Sequence, residues 1–377
     1  MSDDVSVFLV AGEESGDLLG GSLMAALSTN SQKTLKFSGV GGKAMEQQGM
    51  NSLFDINDIA VMGFSAVISR LPKILKRIQE TADAAIREKP NLIVLIDSPD
   101  FTHRVAKKVR AKLPDVPIIK YVCPSVWAWR SHRAAKMRDY VDHILAILPF
   151  EPKVLKELNG PEATYVGHPL RSISGVRSAI DDDSRTKLLL LPGSRMGEIK
   201  RLLPLFKDTV DILLGMRPDL ELSLVAVEKH RAFIEHEIGA WQLKPTIIGQ
   251  GGKKEALEGA HAALAASGTV LLELALYKVP MISTYRLDPI ARQLRSLMTS
   301  WSACLPNLIL GYPTVSEYVD EHARAPLLAR HLNRLLSNTP EREAQLDAFD
   351  ELQQLLALEG KTSASEKAAE VCLKYLN

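Results

Sequence analysis

Two carboxylates and a serine lie between glycines where an apolar run near the N-terminus ends. The segment reads VFLVAGEESGDLLGG over Val7–Gly21. A helix that starts here needs one capping side chain, which Ser15 or Asp17 could supply. Helix capping does not explain why Glu13 and Glu14 lie beside these two residues. The cluster lacks the G-x-G-x-x-G spacing of a dinucleotide site, so it predicts either a cradle for phosphate or a polar surface for a sugar.

A second acidic cluster, IDSPDF, ends the apolar run LIVLID. Asp97 falls at the end of this predicted strand, where a partly desolvated carboxylate can act as a general base. Asp100 could simply cap the helix that follows. Asp97 is therefore the stronger candidate for chemistry in this cluster.

Two tryptophans follow a third apolar run, in CPSVWAWR at residues 123–130. Trp127 and Trp129 could anchor the next helix in the core, or they could wall a sugar or base pocket. His168, in VGHPL, could belong to a turn that leaves the first domain or to a binding site. The residues alone do not decide between the alternatives for the tryptophans or for His168.

The second half of the chain contains two helix starts that suit a phosphate group. In LPGSRMGEI, Gly193 and Ser194 would expose backbone N–H groups at a helix N-terminus, and Arg195 adds a bidentate donor. In AASGTVLLELALY, Gly268 and Thr269 open another helix in the same way. Two such starts in one domain predict a nucleotide site.

One carboxylate follows the second of these starts, and a run of three lies elsewhere. Glu273 lies about one helical turn after the start, within reach of a ribose hydroxyl pair. The acidic run DDDS, at Asp181–Ser184, resembles a metal-binding D-x-D sequence. It falls in a polar stretch between domains, where a solvated charge run is the better interpretation, so we expect no metal site.

Apolar runs alternate with helical periodicities along the whole chain. The runs VSVFLV, LKFSGV, LIVLID, IIKYV and HILAIL form one series, and KLLLLPGS, LSLVAV, TIIG, AALAAS and VPMIST form a second. Such alternation predicts two doubly wound α/β domains, whose ligands bind beyond the carboxyl ends of the strands. We expect a first domain over 1–171, a linker over 172–186, a second domain over 187–340 and C-terminal helices over 341–377, which could cross back to the first domain.

Composition excludes several classes of protein. The 377 residues carry a formal charge of +1, which argues against a general nucleic-acid binder. Three widely separated cysteines fit neither a disulfide framework nor a zinc site, and they suit a reducing cytoplasm. The acidic N-terminus does not resemble a signal peptide, and no apolar run reaches the length of a spanning helix.

Taken together, the motifs resemble those of the lipid-A-disaccharide synthases. AGEESGD, VMGF, IDSPDF, PSVWAWR, VGHPL, LPGSR, SGT with its glutamate and LPNLI occur in that family's order, from Val7 to about Leu336. The resemblance implies a GT-B glycosyltransferase with a cleft between two Rossmann-like domains. It also implies transfer of 2,3-diacylglucosamine from its UDP derivative to the 6-hydroxyl of 2,3-diacylglucosamine 1-phosphate (lipid X), with release of UDP and inversion.

The resemblance also implies roles for individual residues. Asp97 would be the general base, with Glu13 as second choice. The substrate-binding set would be Ser15, Asp17, Asp100, Trp127 and His168, and the UDP-binding set Gly193, Ser194, Arg195, Glu198, Ser267, Gly268, Thr269, Glu273 and Asn307. Arginine and helix dipoles could neutralise the diphosphate, so no metal or other cofactor is expected.

An amphipathic segment, VMGFSAVISRLPKILKRI at 61–78, predicts contact with lipid. In an ordinary soluble domain its apolar side would face the core. Given lipid substrates, the favoured interpretation is a basic helix that dips into an anionic leaflet or carries acyl chains. The candidate apolar residues are Met62, Phe64, Val67, Ile68, Leu71, Ile74 and Leu75. We accordingly expect a cytoplasmic protein, peripheral on the inner face of the cytoplasmic membrane, monomeric or homodimeric, with no nucleic-acid partner.

Three positions depart from the family pattern. Ala66 replaces a common glutamate, Tyr312 follows Gly311 where an arginine is usual, and Asp320 stands where a glutamine is typical. The last two would lie near the donor site. Two alternatives therefore remain, an enzyme similar to UDP-sugar 2-epimerases and a non-catalytic protein that binds UDP-sugars or lipids.

Overall fold

The chain forms two compact units that are not divided simply by sequence order. The computed structural model describes residues 5–59, 64–176, 185–288, 292, 300–358, 360 and 362–376, with the backbone alone for 64–70. The first unit comprises Met1–Pro169 together with Leu358–Asn377, and the second comprises Leu170–Ala357. The last helix of the chain therefore belongs to the first unit. Most of the predicted linker, residues 177–184 with the DDDS run, lies outside the described residues.

The first unit is built on a six-stranded parallel sheet in the order β2-β1-β3-β4-β5-β6. Its strands are β1 Val5–Ala11, β2 Leu35–Val40, β3 Leu92–Ile96, β4 Ile118–Tyr121, β5 His143–Ala146 and β6 Glu162–Tyr165. Every residue of β3 is buried, because helices cover both faces of the sheet. In the register of the central strands, Leu9 pairs with Val94 and Val94 with Ile119.

Helices cover the two faces of this sheet with separate apolar clusters. They are α1 Glu14–Asn30, α2 Lys43–Glu46, α3 Phe64–Glu88, α4 Pro99–Arg110, α5 Arg133–Met137 and α6 Glu151–Glu157, with α14 Ala364–Lys374 from the end of the chain. One cluster joins Phe8 and Ile93 to α3 and α4. The other joins Leu9 and Val94 to α1 and to Ala368 and Cys372 of α14.

A capping box fixes where α14 begins. The Ser363 hydroxyl accepts a hydrogen bond from the Glu366 amide at 3.2 Å, and the Glu366 carboxylate accepts one from the Ser363 amide at 2.6 Å. At the other end of the helix, Tyr375 contacts His143 of β5, with 3.2 Å between the hydroxyl and Nδ1. The Tyr375–His143 contact holds this end of the helix on the first unit's sheet.

The second unit repeats the arrangement with strand order β12-β11-β10-β7-β8-β9. Its strands are β7 Thr186–Leu191, β8 Leu220–Val225, β9 Thr246–Ile248, β10 Ala262–Ala266, β11 Met281–Tyr285 and β12 Glu317–Val319. Its described helices are α7 Met196–Leu214, α8 Arg231–Ile238, α9 Lys253–Gly259, α10 Val270–Leu276, α11 Leu305–Leu310, α12 Ala325–Leu335 and α13 Pro340–Leu355. Strands β7 and β10 are neighbours, so the two predicted phosphate-binding turns leave the sheet side by side.

The predicted fold class is confirmed, since both sheets are parallel and carry helices on their faces. The predicted apolar runs became strands, whereas β6 and β12 were not predicted. Both are short strands at the edge of a sheet, and their residues are half-buried or exposed. Their sequences, EATY and EYV, begin with glutamate and lack the apolar run that marks a buried strand.

Candidate active site

Three of the predicted clusters meet at one edge of the first unit's sheet. A side chain at Gly12 would place its Cβ 2.2 Å from the Ser98 hydroxyl oxygen, so the first turn packs directly against the second. The Asp97 amide donates a hydrogen bond to the Tyr121 carbonyl at 3.0 Å, which joins the second turn to the third strand end. The ends of these neighbouring parallel strands therefore bring the three clusters together.

The turn that carries Asp97 has an unusual backbone. Asp97 and Ser98 have φ angles of +49° and +41°, so two consecutive residues other than glycine adopt the left-handed conformation. The Thr102 hydroxyl donates to the Asp97 carbonyl at 2.9 Å, and the ammonium group of Lys120 donates to the same oxygen. Asp97 is half-buried. Local contacts thus hold the turn and leave the carboxylate partly accessible.

The residues of the first turn have different environments. Glu13 is half-buried at the start of α1, where its side chain does not cap the helix, and Ser15 is exposed. Asp17 is buried, and its carboxylate accepts hydrogen bonds from the amides of Gly42, Ala44 and Met45 at 2.7 to 3.1 Å. Asp17 therefore caps α2. The sequence pattern had suggested that it caps its own helix, α1.

Trp127 is held by a buried carboxylate that the sequence analysis did not single out. Its indole N–H donates to Glu151 at 3.2 Å, and its ring meets Phe150 edge to face at 5.3 Å between centroids. The other oxygen of Glu151 accepts from the Leu148 amide at 3.0 Å. Burial raises the pKa of Glu151 to about 8. Trp127 itself is half-buried, and Trp129 is exposed beneath the Arg130 guanidinium at 4.0 Å.

The two remaining residues predicted in the first unit differ in burial. Asp100 is exposed in the first turn of α4, as expected for a helix-start residue. His168 is buried, and this desolvation lowers the pKa of its imidazole to about 4. The imidazole is therefore neutral near pH 7 and can accept as well as donate a hydrogen bond.

In the second unit, a pocket of 410 Å³ opens at the carboxyl ends of β7 and β10. Eight of the nine predicted UDP-binding residues line it: Gly193, Ser194, Arg195, Glu198, Ser267, Gly268, Thr269 and Glu273. Gly193 and Gly268 have φ angles of +98° and +153°, which glycine adopts without strain. The Arg195 guanidinium is largely exposed and contacts the buried Glu198 carboxylate at 2.9 Å.

Lys253 adds a positive charge to this pocket that the motifs did not indicate. It comes from the start of α9, and its ammonium lies 2.5 Å from the Glu273 carboxylate. The two residues are separated by 20 positions in the sequence, and β10 lies between their helices. Only the tertiary fold brings them together. The pocket thus carries cation–carboxylate pairs at both phosphate-compatible turns.

A second pocket, of 510 Å³, adjoins the first and shares Arg195, Glu198 and Ser267 with it. It reaches the ends of β11 and β12 and includes the exposed ring of Trp301. The Tyr285 hydroxyl in this pocket donates to Glu198 at 3.3 Å. The two pockets therefore meet at the Arg195–Glu198 pair.

Asn307 lies behind this second pocket. Its side chain is almost fully buried; its amide N–H₂ donates to the Val315 carbonyl at 2.9 Å, and its oxygen accepts from the amides of Thr314 and Val315. These bonds hold the loop at Thr314 and Val315. The contact of Asn307 with UDP stays a prediction.

Two of the three departures from the family pattern have clear contacts. The Tyr312 hydroxyl donates to Glu351 at 2.6 Å on the surface of the second unit. Asp320 is buried with a φ of +51°, and its carboxylate accepts from the Leu287 amide at 2.9 Å and contacts Arg292 at 3.2 Å. Asp320 thus holds the chain that follows β11. The side chain of Ala66 lies outside the described residues.

The amphipathic helix α3 differs in part from the predicted apolar stripe. Leu71 and Leu75 are exposed by 41% and 45%, whereas Ile74 is half-buried against the first unit's core. Ile74 lies one turn before the buried Ile78, so both face inward. Met62 and the side chains of Phe64, Val67 and Ile68 lie outside the described residues.

Basic residues flank the exposed leucines of α3. Lys73 and Arg77 both contact Asp58 at 2.5 Å, and Lys76 is exposed. Among the described helices, none combines the length and the apolar character needed to cross a bilayer. Within the same described residues, no three His, Cys, Asp or Glu side chains are grouped so that they could hold a metal ion.

Comparison with known proteins gives matches along the whole chain. The family model described as lipid-A-disaccharide synthetase matches residues 7–371. The lipid-A-disaccharide synthase of Nitrobacter hamburgensis is 44% identical, with 98% of this chain and 96% of the relative covered. The Pseudomonas aeruginosa synthase is 38% identical, with 100% of this chain and 99% of the relative covered. UDP-GlcNAc 2-epimerase from Neisseria meningitidis, solved with UDP-GlcNAc, shares the fold with a TM-score of 0.59 at 11% identity, over 99% of both chains.

The buried Glu151 carboxyl makes stability depend on pH in a defined direction. Its pKa is higher in the folded than in the unfolded state, so its contribution is fully present below about pH 4.5 and is lost as pH rises towards 8. The loss amounts to at most about 1.4 kcal/mol per pH unit. Glu151→Gln should flatten this decline in urea unfolding between pH 5 and 8. Glu157→Gln, an exposed change on the same helix, should leave it unaltered, and an equally steep decline in Glu151→Gln would contradict the assignment.

Proposed function

The chain belongs to the lipid-A-disaccharide synthase family and is a glycosyltransferase, and from this premise we propose how it performs the transfer. The donor is UDP-2,3-diacylglucosamine and the acceptor is the 6-hydroxyl of 2,3-diacylglucosamine 1-phosphate. The observation that carries the proposal is the match of the family model across residues 7–371. The epimerase and binding-protein alternatives are not retained, because the relatives at 44% and 38% identity are synthases, and a fold shared at 11% identity carries no activity.

Asp97 serves as the general base in this proposal. Its carboxylate takes the proton of the acceptor 6-hydroxyl as that oxygen bonds to the anomeric carbon of the donor. The bond from the anomeric carbon to the diphosphate oxygen breaks in the same displacement, and UDP leaves with the electron pair. One displacement inverts the anomeric carbon. The half-buried position of Asp97 at a strand end and the contacts that hold its turn support this role.

The acceptor is bound by the polar surface of the first unit. Ser15 and Asp100 are exposed there and can bond sugar hydroxyls, and Glu13 is the second choice for the base. The ring of Trp127 is held in place by its hydrogen bond to Glu151, and we propose that the acceptor sugar packs against this ring. His168 is neutral near pH 7 and is proposed to contact the acceptor. Asp17 supports the site indirectly, because its carboxylate is occupied by the amides that start α2.

The nucleotide is bound by the second unit. The amides at the start of α7 and the turn at Ser267–Thr269 face the diphosphate, with the positive end of the α7 dipole behind them. Arg195 stabilises the charge that develops on the departing UDP, which is electrostatic catalysis. Glu273 bonds the ribose hydroxyls, and Lys253 beside it fixes the orientation of that carboxylate. Glu198 orients Arg195 from below.

The amphipathic helix α3 brings the enzyme to its lipid substrates. Exposed leucines flanked by basic side chains suit the anionic surface of a cytoplasmic leaflet. This arrangement supports the proposal that the protein attaches peripherally to the inner face of the cytoplasmic membrane.

Turnover of the two lipid substrates tests the proposal for Asp97. The purified protein in detergent should form the acylated disaccharide and UDP, both measured by mass spectrometry. Asp97→Asn should lower kcat by about 100-fold or more, because general-base catalysis contributes about 10²–10⁴-fold, and should leave UDP affinity unchanged. Asp115→Asn, an exposed change before β4, serves as the matched control. An unimpaired Asp97→Asn enzyme would refute the assignment.

The affinity for UDP tests the role of Arg195. Arg195→Gln should weaken UDP binding by about 10- to 100-fold in titration calorimetry, because a hydrogen bond to a charged group contributes about 1.5–3 kcal/mol. Arg231→Gln removes a comparable surface pair with Glu235 and should leave the affinity unchanged. Equal affinities of the two variants would exclude Arg195 from the phosphate site.

Binding to vesicles tests the role of α3. The double change Leu71→Ser and Leu75→Ser should reduce sedimentation with vesicles of anionic phospholipid, while turnover in detergent persists. Leu355→Ser removes a leucine of similar exposure from α13 and should have no effect on vesicle binding. Undiminished sedimentation of the double variant would show that another surface binds the membrane.

A further inference from the structure

Lys120 is a charged residue in the interior of the first unit's sheet. It lies in β4, the strand Ile118–Tyr121, and its side chain is fully buried. Transfer of an ammonium group from water to such a site costs several kcal/mol unless hydrogen bonds compensate for the lost hydration. Lysine is therefore an unusual residue at this position, and its contacts should explain its presence.

The ammonium group of Lys120 contacts the turn that carries Asp97. It donates to the main-chain carbonyl of Asp97 and, at 3.1 Å, to the Thr102 hydroxyl oxygen. The Thr102 hydroxyl in turn lies 2.9 Å from the Asp97 carbonyl oxygen and 3.0 Å from that of Ser98. Lysine and threonine together thus bind the first carbonyl of the turn from beneath.

The turn needs such support because of its backbone conformation. The left-handed conformation is unfavourable for residues other than glycine, and Asp97 and Ser98 adopt it in succession. A relaxed turn would rotate the Asp97 side chain away from its present direction. The contact from Lys120 acts on the main chain of Asp97, so it constrains where the carboxylate points without occupying it.

We propose that Lys120 is a positioning residue for the transfer reaction: it holds the left-handed Asp97–Ser98 turn and so aims the base at the acceptor hydroxyl. The inference rests on the proposed role of Asp97. Burial lowers the pKa of the Lys120 ammonium to about 7, against the opposing effect of the Asp97 charge. Both protonation states have N–H groups to donate, so the support persists across neutral pH.

The variant Lys120→Met keeps the length and apolar stem of the side chain and removes its donors. It should lower kcat by about 10- to 100-fold, since a misplacement of about 1 Å costs about 10²-fold. The KM for the UDP-sugar and the affinity for UDP should be unchanged, because the second unit binds the nucleotide. If Lys120 had only a structural role, Lys120→Met would lower the amount of folded, active enzyme. The size of that effect would then be the same whether or not Asp97 is present.

Lys278→Met is the matched control. Lys278 is also a buried lysine, but it pairs with Asp350 in the second unit, away from both pockets. Its replacement should lower the midpoint of urea unfolding and leave kcat unchanged. The comparison separates loss of a buried charge from loss of the support under Asp97.

The double variant Lys120→Met with Asp97→Asn decides whether Lys120 acts through the base. The lysine change should have no further effect on the residual rate of Asp97→Asn, because there is no base left to aim. A further 10-fold loss would overturn the inference. If Asp97→Asn alone retains full activity, the proposed base is wrong. If it is inactive while Lys120→Met is fully active, only the inference about Lys120 fails.

Thr102→Val provides an independent variant should Lys120→Met fail to fold. It removes the hydroxyl that shares the Asp97 carbonyl with Lys120 and keeps the volume of the side chain. A several-fold fall in kcat at constant KM is expected. Wild-type kcat in the folded Thr102→Val enzyme would refute the proposed support of the turn.

Discussion

Parallel pairing places the carboxyl ends of all strands of a sheet at the same edge, and the candidate chemistry of both units depends on this constraint. In the first unit, β1, β3 and β4 are consecutive in the sheet, so their turns contact one another although they are far apart in the chain. In the second unit, β7 and β10 bring two glycine-containing turns side by side. The helices that follow these turns then direct their N-termini to the same edge. Strand order therefore determines which side chains can cooperate.

Much of the candidate site could be predicted from the sequence with the rule that ligands bind beyond the carboxyl ends of parallel strands. A polar cluster that follows an apolar run can be recognised in the sequence alone. The rule identified six of the residues that line the pocket of the second unit and the turn with Asp97, whereas Glu198 and Ser267 followed only from the family resemblance. Lys120, Glu151 and Lys253 were missed, because each matters through a partner that only the tertiary fold brings near. A lysine inside the apolar run IIKYV was the one available signal. For Asn307, the motif marks the residue but does not indicate the direction in which its side chain bonds.

The pocket proposed to bind the nucleotide contains its own ion pairs. Arg195 contacts Glu198, and Lys253 contacts Glu273. On the proposed assignment, a diphosphate that reaches Arg195 exchanges one anionic partner for another, so the net gain is smaller than for an unpaired arginine. This exchange favours release of UDP after each transfer. The two ion pairs also keep the pocket close to neutral. The formal charge of the whole chain is likewise small, at +1.

The location of α14 has a consequence for how the protein is made. Residues of this helix, including Ala368 and Cys372, belong to the same apolar cluster as Leu9 and Val94 of the first unit. During synthesis these residues are added only after the whole of the second unit has been made. The first unit therefore lacks part of the apolar cover on one face of its sheet until α14 has been made. A nascent chain that stalls before residue 364 would leave the apolar partners of this helix exposed to chaperones.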